Sequence, residues 1–575
     1  MKNVTKYLLL LVAGVAMTAC VNDLNTKPLD TKSATSFNQG AVFTKCYQTL
    51  ALTGQQGPAG DGDIDDLDEG TSAFYRLMWE LNEFPTDEGW WIWNDVGLAD
   101  IRVMNWNGEN DLVKGLYYRF NIDVKLCNHF LKWADDKLPE TAAQKAEVRF
   151  IRALNYYYLL DLFYVAPFSI EESSDYPTFY TRPQLYSWLV GELEDLITLL
   201  PDNRLSLYRV DKTAAYLLLS RLYLNAEVYN TSADGQTKGE AQWAKALDAA
   251  NSALASNYDL LQVSDTVYRT DTAGAVIDTV IYTAYQKLFM ADNNLNGAEK
   301  ESPLLIYQDG NYCQSYGVVQ FVIAATRDAG MVPWGVSTQW KCFRSSPEFV
   351  AKFVALNKAA EIRADEYEMP KILGDDRAIL CSGTDTSESK WKLNGGMSAD
   401  FYDSWACPKF SAVYTTAVHP KLSVGSNSEW ADTDVPLFRI AEAYMTKAEV
   451  LFRQGKNQEA ADMINYLRRR ANAAEVQVSD ITEDLIIDEW SREFWGEGRR
   501  RTDLVRFNRF AGPQADVAKY QWEGRAGAGT YKSNDNKWNW YPVPSADKLA
   551  NPNFKDIQSV TGMDGGDGYG YGSAK

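Results

Sequence analysis

"PLFRIAEAYMTKAEVLFRQG", residues 436–455, followed by "NQEAADMINYLRRRAN", residues 457–472, is the stretch that decides the fold. Apolar residues recur at helical spacing in both halves, and alanines fall where a partner helix must come close. Pro436 stands where a first-turn proline is tolerated, and Gly455 where a helix stops. The reading is a pair of helices. The same texture occurs upstream in "KAEVRFIRALNYYYLLDLF", 145–163, and in "KTAAYLLLSRLYLNAEVY", 212–229, followed by "EAQWAKALDAANSALAS", 240–256. The self-similarity is imperfect and resembles tetratricopeptide-type pairs without their strict signature. Such pairs bury one face only by stacking on neighbours.

The pairs are not contiguous. Between about 257 and 435, Gly, Asn, Asp, Thr and Trp rise and helical periodicity fades, and 54–110 has the same aromatic, loop-rich texture. The expectation is a mainly α protein. One domain over 40–575 would have a helix-pair scaffold at about 40–53, 111–256 and 436–511. Loop-rich parts with short strands would occupy 54–110 and 257–435. The Gly-rich end, "TGMDGGDGYGYGSAK", reads as frayed. Loops on a rigid frame are where binding groups usually sit.

Bulk chemistry excludes several classes. The net charge is −20, whereas a phosphate-backbone ligand needs a basic footprint. The two histidines, His129 and His419, argue against a His-based mechanism or a multi-His metal site. No G-x-S-x-G, H-E-x-x-H or P-loop occurs. At the N-terminus, Lys2 and Lys6 precede an apolar run, Tyr7 to Met17, too short to span a bilayer. Thr18 and Ala19 then precede Cys20. This reads as an export signal over 1–19 and a polar tether over 20–39. The other six cysteines show no metal-type spacing, and an exported chain could pair them in 15 ways.

"DEGWWIWND", 87–95, places three tryptophans beside acidic residues. In a strand Trp91 and Trp93 share one face and Trp90 takes the other, so at least one of the three is core. Tyr156 to Tyr158, on a helix, read as packing. "DNNLNG", 292–297, matches the opening of a calcium loop with Asp292, Asn294, Asn296 and Gly297. Its closing position holds Pro303, so a full EF-hand is excluded and only a looser calcium site is open. "DGDIDDLDEG" fails the same test, with Asp66 where Gly is needed. The arginines of "GEGRRRTDLVRFNRF", 496–510, read as ion-pair partners for Asp and Glu of neighbouring helices, including Asp503.

"RFIRALNYYYLLDLFYVAPF", "PLFRIAEAYMTKAEVLFRQG" and "EWSREFWGEGRRRTDLVRF" together resemble the SusD/RagB family, and Glu489 to Phe507 looks like its C-terminal signature. "LDEGTSAFYR", "EFPTDEGWWIW" and "ADNNLNG" are similar to its starch-binding member. The resemblance runs nearly the whole chain. It implies a non-catalytic surface glycan-binding lipoprotein of Bacteroidetes-type bacteria, lipidated at Cys20, on the exterior of the outer membrane. It implies a starch or malto-oligosaccharide ligand and a partner, a SusC-like TonB-dependent outer-membrane transporter. Other surface glycan-binding lipoproteins are further possible partners.

Sugar rings lay C–H patches on aromatic faces, while their hydroxyls need hydrogen bonds. By the resemblance, Trp93, Tyr316 and Trp340 form an aromatic arc, and Asp68 and Arg76 hold hydroxyls. The starch-binding member carries an amide where this chain has Val96, so Asn94 or Asp95 stands to take over that hydrogen bond. Two rival readings are a glycoside hydrolase using two carboxylates and a peptide-binding adaptor built on the helix pairs.

Overall fold

The computed structural model describes residues 37–54, 62–91, 93, 95–232, 237–326, 335–340, 342–356, 362–363, 371–372, 374–378, 409–416, 428–512 and 536–554. Cys20, the signal and most of the tether, Asn94, Cys381, Cys407, His419 and the Gly-rich end lie outside these residues.

The protein is mainly helical, with short strand pairs. Helices α1 (Gln39–Gln48), α2 (Phe74–Glu83), α3 (Asp111–Trp133), α4 (Thr141–Leu162), α5 (Arg182–Leu199), α6 (Lys212–Leu224) and α7 (Trp243–Leu254) come first. Then follow α8 (Val319–Ala325), α9 (Ala441–Arg453), α10 (Asn457–Arg470), α11 (Glu483–Phe494) and α12 (Arg500–Arg506). Each of α3 to α6 packs on its successor, and α7 packs directly on α9, which packs on α10. The stacked array therefore closes across the long insertion between α7 and α9, as the noncontiguous repeats required. Ala246, Ala249, Ala250 and Ala253 on α7 and Ala441, Ala443 and Ala448 on α9 are all buried. Small side chains are what lets neighbouring helix axes approach closely. Tyr156, Tyr157 and Tyr158 are buried, as packing residues should be.

Local signals set the helix ends. Asp211 caps α6 by accepting from Thr213 N at 2.9 Å, and Gln184 closes a capping box on Thr181 at the start of α5. Gly455 has φ +75° just after α9, the left-handed geometry of a helix stop. Helix α6 ends at Leu224 rather than running on to 229, because Asn225 leaves the helical region at φ −98°, ψ 11°.

Two expectations need correction. Pro436 does not open a helix. It lies in a strand, Val435–Phe438, paired antiparallel with Leu304–Ile306, and α9 starts at Ala441. Pairing to the inserted segment overrides the helical pattern there. The region 54–110 is not merely loops, since all ten residues of α2 are buried. Its polar residues Arg76, Glu80 and Glu83 recur at helical spacing beside an apolar face, but that polar stripe is buried too. The insertion at 257–435 does hold short strands, including the hairpin Asp265–Thr270 with Val276–Tyr282. Cys46, Cys127, Cys313 and Cys342 are buried free thiols.

The basic signature is internal. Arg499 and Arg506 bond Asp503 at 3.0 and 2.8 Å, and Arg501 bonds Asp161 at 2.8 Å. Arg500 grips Asp87 through Nε at 2.7 Å and Nη2 at 3.0 Å, while Lys352 donates to the same carboxylate at 2.7 Å. Glu88 accepts from Ser491 Oγ at 2.6 Å and Gly496 N at 3.2 Å. The acidic start of "DEGWWIWND" is thus clamped by the C-terminal signature, and this fixes the strand that follows.

Burial pushes the Asp87 carboxyl up, but Arg500 and Lys352 together outweigh it and hold it at about 2. A carboxylate depressed on folding contributes stability that is complete above its ordinary value of 3.8 and lost as pH falls toward 2. The expected loss from this group is about 2 kcal/mol, read as a falling urea midpoint below about pH 4. Asp87→Asn should flatten that part of the profile, and an unchanged slope would contradict the clamp.

Candidate functional site: an aromatic row over an open hollow

Strand β1 (Gly89–Trp91) pairs antiparallel with β2 (Phe343–Ser345), with Trp91 opposite Phe343. This pairing carries the residues after β1 and those before β2 to the same end of the ribbon. There Trp93 and Trp340 meet, ring centroids 6.0 Å apart and tilted 38°. Trp340 is also held from below, donating its backbone N–H to Ala324 O at 2.7 Å at the end of α8.

Two of the three tryptophans of "DEGWWIWND" divide the labour. Trp91 is fully buried, and its indole N–H donates to Asp95 Oδ2 at 2.9 Å. Its carbonyl accepts from Arg102. Trp93 stands edge-on to it at 6.2 Å and is 40% exposed. The strand ends at Trp91, so Trp93 leaves the pleat and the two do not share a buried face. One is the core anchor and the other is the platform.

Tyr316 continues the row, 5.1 Å from Trp340 and tilted 42°. Its loop is brought in by two glycines. A Cβ on Gly70 would lie 2.7 Å from the Tyr316 Cβ, and one on Gly317 would lie 2.1 Å from the Ala73 Cβ. Arg76 N donates to Gly317 O at 3.1 Å and locks this approach. Gly317→Ala should force the loops apart, costing about 1–3 kcal/mol and weakening any ligand that spans Tyr316 and Trp340. A thermal melt and a titration together check this, and an unperturbed variant would contradict it.

Trp93, Tyr316, Trp340, Asp68, Arg76 and Asp95 line one open hollow of about 570 Å³, with Val96 at its rim. The expected residues from four separated segments are thus brought together, Asn94 alone being undescribed. Asp68 accepts from Thr71 N at 2.9 Å at an exposed position. Burial pushes its carboxyl up, but hydrogen bonds from Thr71 and the charge of Arg76 bring it below the usual range, so it is an anionic acceptor at neutral pH. Arg76 is deeper than a surface hydroxyl binder. Its Nε donates to Glu80 at 2.8 Å, and its guanidinium lies 5.9 Å from the Trp340 ring and 5.4 Å from Phe321. Among the described residues its terminal nitrogens make no other hydrogen bond, which leaves them for a ligand. Asp95 gives one oxygen to Trp91. Val96 is 64% exposed and offers no hydrogen bond where the resemblance expects an amide.

A comparison with characterised proteins decides the family. Starch-binding protein SusD of Bacteroides thetaiotaomicron is 35% identical to this chain, covering 95% of it and 96% of the relative. The chain belongs to the SusD family. The SusD family model matches residues 340–559, beginning at Trp340. A SusD superfamily structure from Bacteroides thetaiotaomicron covers 90% of this chain and 98% of its own, at 17% identity and a TM-score of 0.62. Surface glycan-binding protein A of the same organism, in complex with laminarihexaose, covers 90% of this chain and 97% of its own, at 18% identity and a TM-score of 0.57. Both share the SusD fold.

The calcium reading does not fit this SusD family chain's geometry. Both Asp292 oxygens accept from Thr415, and the Asn296 oxygen accepts from Ala298 N at 3.0 Å. Asn294 donates to Tyr208 at 3.0 Å. The motif is a polar turn in which the Asp292 and Asn296 side-chain oxygens are engaged internally. Among the described residues no group of three or more His, Cys, Asp or Glu is placed to hold a metal.

Sequence reading missed Trp430, which packs on Tyr316 at 4.5 Å. Its setting, "SEWAD", has the acid-flanked tryptophan texture of "DEGWWIWND", and that was the available signal. Glu80 was also missed, although its spacing from Arg76 and Glu83, one helical turn to either side, was the available signal.

Proposed function

We propose that this chain is a non-catalytic surface lipoprotein that binds starch and malto-oligosaccharides on Trp93, Trp340 and Tyr316. It delivers them to a TonB-dependent outer-membrane transporter. The observation that carries the reading is the row itself. Three aromatic rings from separate segments line one open hollow, with a carboxylate and a guanidinium in its lining. An open row of successively tilted rings suits a curved polymer lying across it, whereas small-molecule pockets enclose most of their ligand. The 35%-identical relative, named for starch binding, favours an α-glucan. Among the described residues no helix is long and apolar enough to cross a membrane, and lipidation at Cys20 is the anchor this reading requires.

Ring contacts of about 0.5–1.5 kcal/mol each, less ordering costs, give an expected dissociation constant of roughly millimolar to tens of micromolar. Affinity electrophoresis of protein lacking residues 1–20 tests the ligand, with starch, laminarin or xyloglucan cast into the gel. Retardation by starch alone supports the reading. A second reading, the same role with a β-glucan, is favoured by the laminarihexaose complex of a structural neighbour. Retardation by laminarin without starch would establish it instead. Incubation with starch should release no reducing ends, and release would convert the binder into a hydrolase.

A further inference from the structure

The aromatic row does not stop at the hollow. Tyr316 has a second ring neighbour, Trp430, at 4.5 Å and 44°. Successive contacts along Trp93, Trp340, Tyr316 and Trp430 are thus 6.0, 5.1 and 4.5 Å, with tilts of 38°, 42° and 44°. No two neighbouring rings are coplanar, and the steps are similar in length and tilt. Trp430 lies outside the hollow, beyond its Tyr316 end. It is half-buried rather than sealed.

The segment bearing Trp430 is firmly placed. Thr338 Oγ1 and Gln320 Nε2 both donate to Glu429 O, at 3.2 and 2.6 Å. Ala431 N donates to Gln320 Oε1 at 2.9 Å, and Ser337 N donates to Ser428 O at 2.8 Å. Residues 428–431 therefore run beside the segment that delivers Trp340 and beside α8. The bonds fix the backbone on both sides of Trp430, while the indole is left against Tyr316. Trp91, the core anchor, is sealed. Trp430 extends a partly exposed line.

We infer that Trp430 is a fourth platform, a further sugar subsite at the Tyr316 end that sets the preference for longer chains. This rests on the α-glucan reading above. A malto-oligosaccharide of three residues is served by Trp93, Trp340 and Tyr316. Longer chains gain an added ring contact on Trp430.

The test is calorimetric titration of the soluble chain with maltotriose and with maltoheptaose, for the parent, Trp430→Ala, Trp430→Phe and Trp340→Ala. Trp430→Ala should lose about three- to tenfold in affinity for maltoheptaose and leave maltotriose unchanged. Trp430→Phe should recover most of the loss. An equal loss for both sugars would overturn the subsite, since Trp430 would then only prop Tyr316. An unchanged length preference would also overturn it. A parent that binds neither sugar, with unaltered unfolding, would sink the α-glucan reading and the subsite with it. Trp340→Ala marks the difference, because it should weaken both sugars if the central row is right.

Discussion

Glu493→Ala should destabilise the protein by about 3–5 kcal/mol, a large share of the roughly 5–15 kcal/mol that holds a typical domain folded. Glu493 is fully buried and accepts from Arg439 and Arg470 through one oxygen, while Arg377 approaches the other at 3.4 Å. Arg439 and Arg470 also share Glu301, and Arg377, Arg468 and Arg492 converge on Glu489. Burial pushes the Glu493 carboxyl up, but Arg470, Arg439 and Arg377 outweigh it and hold it below the usual range. Removing the carboxylate leaves buried guanidiniums short of negative charge, and that uncompensated charge is the source of the cost. The contrast is Glu475→Ala. Its pair with Arg469 is about half exposed on both sides, and such pairs contribute about 0–1 kcal/mol. Guanidinium chloride unfolding of the two variants separates them. Equal losses would mean that the buried network is not what holds the signature helices against α9 and α10.

Trp340→Ala should reduce glucan affinity by roughly 10- to 100-fold, enough to abolish retardation in a starch gel. Trp340 is the middle ring, touching both Trp93 and Tyr316 and lying over Arg76. Its loss removes one stacking face and also the partner that aligns the two others. Its own ring contact contributes about 0.5–1.5 kcal/mol, and the misalignment of Trp93 and Tyr316 adds a comparable loss, together a factor of about ten or more. Because Trp340 is only half-buried, its stability cost should be small beside its effect on binding. Trp91→Ala should behave in the opposite sense. It removes a fully buried ring from the core, and the melting temperature should fall first. A Trp340→Ala variant that keeps parental affinity would remove the ring from the site.

Much of this was legible in the chain. Helix pairs announce themselves by alanines at close-approach positions, because packing geometry acts directly on residue choice, and α7 and α9 met as the interrupted pattern required. The aromatic arc was legible only through resemblance. Trp93 lies more than two hundred positions before Tyr316 and Trp340, and nothing in local spacing says that β1 and β2 will pair. Helix α2 escaped although Arg76, Glu80 and Glu83 recur at helical spacing, because ten residues set between aromatic loops are read with the loops. Pro436 misled because a strand partner some 130 residues upstream competes with the helical pattern. Trp430 escaped because a lone tryptophan in a loop carries no period at all. The depth of Arg76 was equally invisible, being set by Glu80 one turn along and by Phe321 from another segment.

The most direct test of the central claim is a crystal structure of the soluble chain soaked with maltoheptaose. The account predicts consecutive glucose rings lying against Trp93, Trp340 and Tyr316, with hydroxyls within reach of Asp68 and the Arg76 guanidinium. An ordered oligosaccharide bound elsewhere, with these three rings bare, would contradict it.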